Sequence, residues 1–367
     1  MPYKVTLIPG DGVGPEVTEA TRRVLEATGV EFKWDTGIVG EKAQTQFGTP
    51  LPDDVLTSIK RNKVALKGPV TTPIGTGFRS VNVALRRSLD LYACIRPCKT
   101  YPGVSTPFSD VDIVVVRENT EDLYAGIEFA RGTQDAGKLI DLILDSTGTK
   151  VNKDSGFSIK MISEAGSKRI VKFAFEYARA NKRKKVSAGH KANILKFSDG
   201  IFLAVAGEVA KEYPDIEFED VVIDALCMRL VKNPQSFDVI VLPNLYGDIV
   251  SDLCAGLVGG LGLAPGANIG DNVAVFEPTH GSAPQYAGQN KVNPMAMMLS
   301  GEMMLRYLGE KDAADRLEQA IAKVIAEGKD VTYDLKPKRS QYPASTSQVA
   351  DAVINKLKEN CLVQKSN

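Results

Sequence analysis

The 367-residue chain has no excess of charge of either sign, because 45 lysines and arginines balance 45 aspartates and glutamates. Binding to nucleic acid or to an anionic membrane usually needs a broad basic surface, so we expect no nucleic-acid partner and no membrane partner. The longest apolar run, near residues 253–265, is too short and too rich in glycine to span a bilayer. The amino terminus lacks the pattern of a secretory signal, which favours a cytoplasmic or matrix-like location.

The sequence also lacks the patterns of a disulfide framework and of the common nucleotide-binding motifs. The five cysteines are odd in number and lie mostly in apolar surroundings, which favours reduced core thiols over a disulfide framework. A phosphate-binding loop of the Gly-x-x-x-x-Gly-Lys-Ser/Thr type does not occur. Gly10, Gly12 and Gly14 follow an apolar run as in a dinucleotide fingerprint, but the third glycine comes too early and Pro15 stands in its place.

Short β-branched runs alternate with stretches of helical periodicity along the whole chain, which predicts an α/β protein of about two domains. The predicted strands are residues 4–8, 63–66, 112–116, 185–188, 220–223, 238–242 and 273–276. Helical spacing marks residues 17–27, 166–180, 202–212 and 302–327. No linker separates two halves, so we expect interleaved domains. The polar stretch 129–158, with a short helix-like piece at 139–144, resembles an inserted arm.

Polar residues follow several predicted strands at the point where each strand ends, which is where ligands bind in open α/β sheets. They include Arg117, the run from His190 to Asn193, Asp224, Asp248 and Asp252. Asp248 and Asp252 are four residues apart, so a helix presents them together. As an isolated pair they are more typical of a solvated helix start. With Asp224 at a neighbouring strand end, they favour a site for Mg²⁺ or Mn²⁺.

Residues 79–90 read as a helix on which Arg79, Asn82 and Arg86 share a stripe. Such a stripe alone is more often a solvated face, and Ser80 suits a capping position. Arg96 and Arg117 follow soon after, and several guanidinium groups together suit a ligand with several carboxylates. Residues 79–117 hold six basic and three acidic residues, whereas residues 215–252 hold eight acidic and two basic ones. The neutral chain thus separates a basic region from an acidic one.

Several motifs together resemble the β-decarboxylating dehydrogenases, a family that contains isocitrate, isopropylmalate and homoisocitrate dehydrogenases. They are residues 9–16, the helix 79–86, Arg117-Glu-Asn-Thr-Glu-Asp-Leu-Tyr124, His190-Lys-Ala-Asn193, Asn244-Leu-Tyr-Gly-Asp-Ile-Val-Ser-Asp252, 259–270 and His280-Gly-Ser-Ala-Pro284. The resemblance extends over nearly the whole chain, from residue 4 to about residue 335. It implies the α/β fold of that family, which is not a Rossmann fold.

The resemblance also implies a domain division. A large, coenzyme-side domain would comprise residues 1–91 and 259–367, and a small domain with substrate and metal residues would comprise 92–124 and 164–258. Residues 125–163 resemble the clasp by which bacterial-type isocitrate dehydrogenases interlock as dimers. A homodimer with shared active sites is therefore expected, in which Lys191 and Asp224 reach across from the second subunit.

Site residues carry over by resemblance, position by position. The expected substrate-binding set is Ser80, Asn82, Arg86, Arg96, Arg117, Tyr124, Lys191 and Asn193, and the expected catalytic set is Tyr124, Lys191 and Asp224. Asp224, Asp248 and Asp252 would bind Mg²⁺ or Mn²⁺, which chelates the C1 carboxylate and the C2 hydroxyl of the substrate. The expected coenzyme-binding residues are Thr72, Asn82, His280, Gly281, Ser282, Ala283, Gln285, Tyr286, Asn293, Tyr333 and Asp334.

By the same resemblance, Lys191 would remove the hydroxyl proton and Tyr124 would protonate the enol carbon. Taken alone, Lys191 is more typical of a surface salt bridge, and Tyr124 of a buried hydrogen-bonding ring. Ser80-Val81-Asn82 stands where isopropylmalate enzymes place apolar residues, which favours isocitrate, a tricarboxylate, oxidised to 2-oxoglutarate and CO₂ in the tricarboxylic acid cycle. Gln285, Asn233 and Pro337 replace three cations that hold the 2′-phosphate in NADP-dependent relatives, which favours NAD, although Lys336 or Lys338 offers a partial substitute.

Three alternatives stay open from the sequence. In the first, the substrate is homoisocitrate or 3-isopropylmalate instead of isocitrate. In the second, the coenzyme is NADP, and in the third, the chain is a noncatalytic regulatory subunit. Against the last, Tyr124, Lys191, Asp224, Asp248 and Asp252 are all present, whereas regulatory chains usually lose some of these residues.

Overall fold

The computed structural model describes residues 1–73, 80–336 and 342–364. These residues form twelve β-strands and twelve α-helices. The strands are β1 (Tyr3–Ile8), β2 (Phe32–Thr36), β3 (Val64–Lys67), β4 (Ala93–Lys99), β5 (Asp112–Glu118), β6 (Glu128–Phe129), β7 (Phe157–Ser158), β8 (Lys185–His190), β9 (Glu217–Val222), β10 (Val239–Leu242), β11 (Ala267–Ile269) and β12 (Ala274–Phe276).

The helices cover the sheet and supply its long crossover connections. They are α1 (Gly14–Glu26), α2 (Glu41–Phe47), α3 (Asp53–Asn62), α4 (Val81–Ser88), α5 (Gln134–Thr147), α6 (Glu164–Ala180), α7 (Ser198–Ala210), α8 (Ile223–Lys232), α9 (Asn244–Leu257), α10 (Met295–Tyr307), α11 (Lys311–Glu327) and α12 (Thr346–Gln364). Each of them falls short of the length and apolarity that a membrane span requires, within the same described ranges.

Ten strands form one sheet in the order β2-β1-β3-β12-β11-β4-β5-β10-β8-β9. The strands at both ends run parallel to their neighbours, whereas β11 and β4 in the middle pair antiparallel. The middle strands therefore join two parallel α/β halves into a single sheet. This mixed order has no Rossmann arrangement, in agreement with the fold expected from the sequence.

Apolar side chains pack into separate clusters on the two halves. One large cluster is built from the first 25 residues, β3 and the carboxyl-terminal helices, and includes Val24, Met298 and Leu317. A second cluster lies around α6, α7 and β10, with Phe175 and Val186 among its fully buried members. Each half thus buries a core of its own, while the domain boundaries 1–91 with 259–367 and 92–124 with 164–258 stay a prediction.

The seven strands predicted from β-branched runs are all present, with ends that differ by at most three residues. Sequence patterns missed β2, β4 and β11 of the large sheet, and β6 and β7 of the small one. The helical stretch predicted over residues 302–327 is wrong as a single helix: α10 ends at Tyr307 and α11 begins at Lys311. Gly309, with φ 88, lies in the break, where the left-handed backbone favours glycine.

The predicted arm consists of α5 and the two-stranded sheet of β6 and β7. The helix is longer than the predicted piece at 139–144, since Thr133 caps it and Gly148 ends it in a left-handed conformation. Ala136 is the buried residue of α5, whereas Leu142 and Leu144 are exposed. The apolar side of this helix therefore finds little cover within its own chain.

Cys94, Cys98 and Cys254 are buried free thiols, and Cys227 is a half-buried one. The side chain of Cys361 lies outside the described part of the structure.

Candidate active site

Arg117 is the centre of a buried ion cluster at the end of β5. Its side chain is 1% exposed, and its Nη1 donates to Asp248 Oδ1 at 2.5 Å. Its Nε and Nη2 donate to the amide oxygen of Asn244 at 3.1 and 2.8 Å. Arg117 and Asn244 stand at the carboxyl ends of the neighbouring strands β5 and β10, so the sheet register brings them together. The guanidinium is thereby fixed in one orientation.

Arg96 reaches the same carboxylates from β4. Its Nη1 donates to Ser251 Oγ at 2.6 Å, and lies 3.2 Å from Asp248 and 3.5 Å from Asp252. Burial raises the pKa of the Asp248 carboxyl, but Arg117 and Arg96 outweigh burial and hold that pKa below its ordinary value. For Asp252 burial prevails and the pKa is raised. As predicted from their spacing, both aspartates lie on one face of α9.

Tyr124 belongs to a short 3₁₀ helix, Asp122–Ala125, and donates its hydroxyl to Asp248 Oδ2 at 2.5 Å. The Arg117 guanidinium lies 4.7 Å from the ring centroid. Burial and the bond to Asp248 raise the pKa of the tyrosine hydroxyl. The phenol therefore keeps its proton at neutral pH and is able to donate it.

Glu277 forms a second buried ion cluster that the sequence analysis did not identify. Its carboxylate is bound by Lys67 Nζ at 2.6 Å, Arg86 Nη2 at 3.0 Å and Asn268 Nδ2 at 2.7 Å. Burial raises the pKa of Glu277, but Lys67 and Arg86 lower it far more. Lys67 ends β3 and Glu277 directly follows β12, so the strand-end reasoning used for Arg117 applies to both.

A cleft of about 480 Å³ connects predicted substrate residues with predicted coenzyme residues. Asn82, Arg86 and Arg96 line it on one side, and the loop from His280 to Ser282 lines it on the other. Ser80 caps α4 at its edge, with Oγ accepting from the backbone amide of Val83 at 3.4 Å, as the sequence predicted, and Thr72 donates to the same hydroxyl. Arg79, the first residue of the predicted stripe, lies outside the described residues.

Three buried polar atoms in this cleft lack partners within the described part of the chain. They are Asn82 Oδ1, Arg86 Nε and His280 Nε2. A buried polar group without a hydrogen bond costs free energy, so these atoms are placed for a polar ligand. Burial lowers the pKa of His280, which keeps its imidazole neutral. Their chemistry fits a carboxylate-bearing substrate and the amide and hydroxyl groups of a nicotinamide nucleotide.

The glycine-rich start of the chain packs against the loop from His280 to Ser282, which is predicted to bind the coenzyme. The backbone amide of Val13 donates to Ser282 O at 2.9 Å, and a Cβ at Gly12 would lie 2.1 Å from that oxygen. Ser282 Oγ is 2.8 Å from Thr71 Oγ1. Only a residue without a side chain allows this close approach.

A neighbouring cavity of about 490 Å³ holds the other end of the predicted coenzyme site. Tyr286, Tyr333 and Lys291 line it, and Lys291 Nζ lies 4.1 Å from the centroid of the Tyr286 ring. Nearby, Asn293 donates to Asp334 at 3.0 Å. Gln285 lies in the short 3₁₀ turn Pro284–Tyr286 that carries Tyr286, and Ala283 directly precedes this turn. Pro337 and Lys338 lie outside the described residues. Lys291 is a cation in this cavity that the sequence analysis did not predict.

Lys191 and Asp224 form an ion pair with each other, away from the cluster of Arg117 and Asp248. Asp224 is 69% exposed, and Lys191 holds its pKa below the ordinary value. Asp224 follows β9, which lies two strands from β10, so about 10 Å of sheet separates it from the start of α9. Asn193 is exposed in the loop after Lys191. One chain alone therefore does not assemble the full predicted set.

Asp248 and Asp252 offer the carboxylate oxygens that a hard divalent cation prefers. Among the described residues no group of three or more histidine, cysteine, aspartate or glutamate side chains is placed to hold a metal ion. Two carboxylates on one helix fit part of a magnesium or manganese site, and its remaining ligands must come from substrate, water or another chain.

Comparison with known proteins agrees with this geometry. The mitochondrial NAD isocitrate dehydrogenase catalytic subunit 6 of Arabidopsis thaliana is 50% identical over 335 residues, which cover 91% of this chain and 84% of that protein. A mitochondrial regulatory subunit of the NAD isocitrate dehydrogenase of Dictyostelium discoideum is 47% identical, covering 97% and 92%. The chloroplastic 3-isopropylmalate dehydrogenase of Solanum tuberosum is also 47% identical, covering 89% and 86%.

Relatives with other coenzymes occur too, since an NADP isocitrate dehydrogenase of Archaeoglobus fulgidus is 45% identical, covering 95% and 91%. The crystal structure of isocitrate dehydrogenase from Methylococcus capsulatus matches with a TM-score of 0.89 and 51% identity, covering 97% of this chain and 99% of that chain. The family profile described as isocitrate/isopropylmalate dehydrogenase matches residues 4–353. The chain therefore belongs to the isocitrate/isopropylmalate dehydrogenase family of metal-dependent decarboxylating dehydrogenases.

Proposed function

We propose that this protein is an NAD-dependent isocitrate dehydrogenase that converts isocitrate to 2-oxoglutarate and CO₂. The observation that carries the choice of substrate is the orientation of Ser80-Val81-Asn82. Val81 is buried in the core, whereas Asn82 lines the cleft beside Arg86. The start of α4 therefore offers polar groups to the ligand, which suit a third carboxylate better than an isopropyl group.

The cationic groups in and beside the cleft support the same substrate. Arg86 and Arg96 line the cleft, and Arg117 adjoins Arg96 through their shared partner Asp248. All three are at least nine-tenths buried, and Arg86 Nε has no partner among the described residues. Buried guanidinium groups bind carboxylates with two directed hydrogen bonds each. Three such groups match the three carboxylates of isocitrate and hold the substrate in one orientation.

Asp248 and Asp252 would hold Mg²⁺ or Mn²⁺, which polarises the substrate hydroxyl and offsets the charge that develops as CO₂ leaves. NAD, held by the predicted residues His280 to Ser282 and Tyr286, would supply the hydride acceptor. Lys191, paired with Asp224, would first release one of its ammonium protons to solvent and would then accept the hydroxyl proton. After CO₂ has left, Tyr124 would protonate the remaining enolate at carbon. The position of Tyr124 supports its assignment as the acid, because its protonated hydroxyl lies against Asp248, beside the proposed metal and substrate.

A homodimer would bring these groups together. Exposed apolar side chains surround the pair of Lys191 and Asp224, on the loop before α7 and on α7, α8 and α9. They are Ile194, Phe197, Ile201, Met228, Val231 and Ile249. Phe197 is 92% exposed, and such a patch is typical of a surface that another chain covers. The exposed Leu142 and Leu144 of the arm support a second contact between copies.

The choice of NAD rests on the loss of positive charge around the adenosine end. Gln285 and Asn233 are uncharged, and a dianionic 2′-phosphate needs cations more than a hydroxyl does. Lys291 is the opposing feature, because it lies against Tyr286 inside the cavity. We therefore expect NAD to be preferred and NADP to be used slowly.

Initial rates with Mn²⁺ test the proposal. Isocitrate, homoisocitrate and 3-isopropylmalate are each assayed with NAD and with NADP. We expect the highest kcat/KM for isocitrate with NAD. Faster turnover of either other acid would overturn the substrate assignment, and a preference for NADP would overturn the coenzyme assignment. No turnover of any pair by the purified chain would favour a regulatory role.

Mixed dimers test the shared site. Lys191→Met and Asp252→Asn are each expected to be inactive, because each removes a group that every site needs. If the two groups come from different chains, a mixed dimer keeps one intact site, and random pairing restores about a quarter of the wild-type activity. If both groups come from the same chain, the mixture regains nothing beyond the single variants.

A further inference from the structure

The strands that carry the active-site cleft also form the floor of a groove on the opposite face of the sheet, here called the rear groove. In β4, Arg96 points to the active site, while Ile95, Pro97 and Lys99 line the rear groove. In β12, Phe276 lines the rear groove, and Glu277, the next residue, faces the active-site cleft. The two-residue alternation of a strand places neighbours on opposite faces.

The rear groove has a volume of about 530 Å³, which is within the range of small-molecule sites. Five aromatic rings line it, and they come from both halves of the molecule. They are Tyr101, Phe173, Tyr177, Phe276 and Tyr307. The Phe276 and Tyr307 rings pack edge to face at 5.7 Å between centroids. None of these side chains has a part in the proposed reaction.

Glu302 places a buried carboxylate in this aromatic groove. Its side chain is 9% exposed, and Oε1 accepts a hydrogen bond from Arg306 Nε. Its other oxygen, Oε2, accepts no hydrogen bond within the part of the chain that the structure describes. Burial raises the pKa of Glu302 to about 7. A carboxylate without sufficient counter-charge is thus present beside apolar rings.

The surrounding charges do not supply the missing cation. Arg306 is shared by three carboxylates, since it also pairs with Asp315 at 2.7 Å and with Glu318 at 3.0 Å. Lys99 is occupied by Glu318. At the other end of the groove, Arg183 is shared between Asp112 and Asp238. Three carboxylates and three cations therefore line the groove, and the cations also pair with two carboxylates outside the lining, Asp238 and Asp315.

We propose that the rear groove binds a small organic cation with an aromatic or apolar body, whose charged group pairs with Glu302 Oε2. An anion would find the three cations already paired with carboxylates, and a neutral molecule would leave Glu302 with a share of Arg306 as its counter-charge. Aromatic rings favour the same ligand, because a cation is attracted to the face of a ring. The site is separate from the active-site cleft and does not depend on which substrate that cleft accepts.

Tryptamine is the probe, with tryptophol and 3-indolepropionate as neutral and anionic analogues of nearly the same shape. Binding to the full-length protein is measured by calorimetry with NAD present, so that the coenzyme site is filled. We expect tryptamine to bind at least about tenfold more tightly than tryptophol, and the anion to bind most weakly. Equal binding of the three probes, or tightest binding of the anion, overturns the proposal.

Two variants assign the binding to this groove. Glu302→Gln keeps the shape of the side chain and removes its charge, so tryptamine should bind about tenfold more weakly. Asp315→Asn is the matched control, because it removes a carboxylate from Arg306 without changing the lining of the groove. Tyr307→Leu removes a half-exposed ring and should weaken binding about threefold. Unchanged affinity in Glu302→Gln, with circular dichroism showing a folded protein, places the probe elsewhere and overturns the proposal.

Discussion

The two faces of the central strands pair their charges differently, although they share one backbone. On the active-site face Lys67, Arg86, Arg96 and Arg117 meet Asp248, Asp252 and Glu277. In the rear groove three carboxylates meet three cations, and the cations also pair with two carboxylates outside the lining, Asp238 and Asp315. Side chains alternate between the two faces along β4, β11 and β12, so neighbouring residues of one strand contribute to different sites. A neutral chain is thus able to offer one site to anions and another to cations.

Two buried glutamates show what sets the difference. Glu277 is bound by Lys67, itself 1% exposed, and by a buried arginine, and its pKa is lowered. Among the residues that the structure describes, Glu302 pairs with Arg306 alone, which is half-buried and shared with two other carboxylates, and the pKa of Glu302 is raised to about 7. Similar burial therefore has opposite outcomes, depending on whether the counter-charge is buried and exclusive.

The largest effect is expected for Arg117→Leu. This change leaves Asp248 and the Asn244 amide oxygen short of their buried donor, so the free energy of unfolding should fall by about 4 kcal/mol. Activity should fall at least about a thousandfold, because the substrate loses a directed cation. Urea unfolding and initial rates measure both effects. Arg61→Leu is the control, since its ion pair with Asp35 is exposed and should contribute less than about 1 kcal/mol. Similar losses in the two variants would contradict the central role of Arg117.

Glu277→Gln should give the next largest effect. The change leaves Lys67 buried without a counter-charge, so the free energy of unfolding at pH 7 should fall by about 3 kcal/mol. Because the folded-state pKa of Glu277 is lowered, its contribution is complete above the unfolded pKa and disappears as the pH falls through the folded pKa. Urea unfolding of the wild type and the variant at pH 7 and pH 4 measures the difference, which should be nearly as large at pH 4, because the folded-state pKa lies well below that pH. A neutral or stabilising substitution would show that this carboxylate does not hold the cluster together.

Glu302→Gln should have the opposite sign at neutral to alkaline pH. The folded-state pKa of Glu302 is raised, so ionisation costs stability, and this cost grows as the pH rises from about 4.5 to about 7. Relative to the variant, the wild type should lose roughly 2 kcal/mol between pH 5 and pH 8, a difference that urea unfolding at each pH would reveal. Parallel pH profiles for the two proteins would mean that Glu302 is already satisfied, and would remove the contrast with Glu277.

The sequence predicted those parts of the active site that follow local rules. Asp248 and Asp252 share a face because four residues nearly complete a helical turn, and Arg117 is at a strand end that can be read from the apolar run before it. The cluster of Glu277 depends instead on the pairing of β12 with β3, two strands more than 200 residues apart in the chain. In the sequence, Glu302 is one polar position in a long stretch of helical periodicity. It is buried because α10 packs against the sheet, and the periodicity does not predict that packing.

The smallest effect is expected for a new charge at the coenzyme end of the active-site face. Gln285→Lys adds a cation to the turn that carries Tyr286, so the ratio of kcat/KM for NADP to that for NAD should rise about tenfold. Gln289→Lys is the matched control, because it adds the same charge one turn further along, on the residue whose amide donates to Gln285 O at 2.7 Å. An equal rise in both variants would mean that general charge, and not contact with the 2′-phosphate, sets coenzyme preference. An equal ratio in the wild type and in Gln285→Lys would instead indicate that Lys291 already supplies the cation, and that this face favours anions along its whole length.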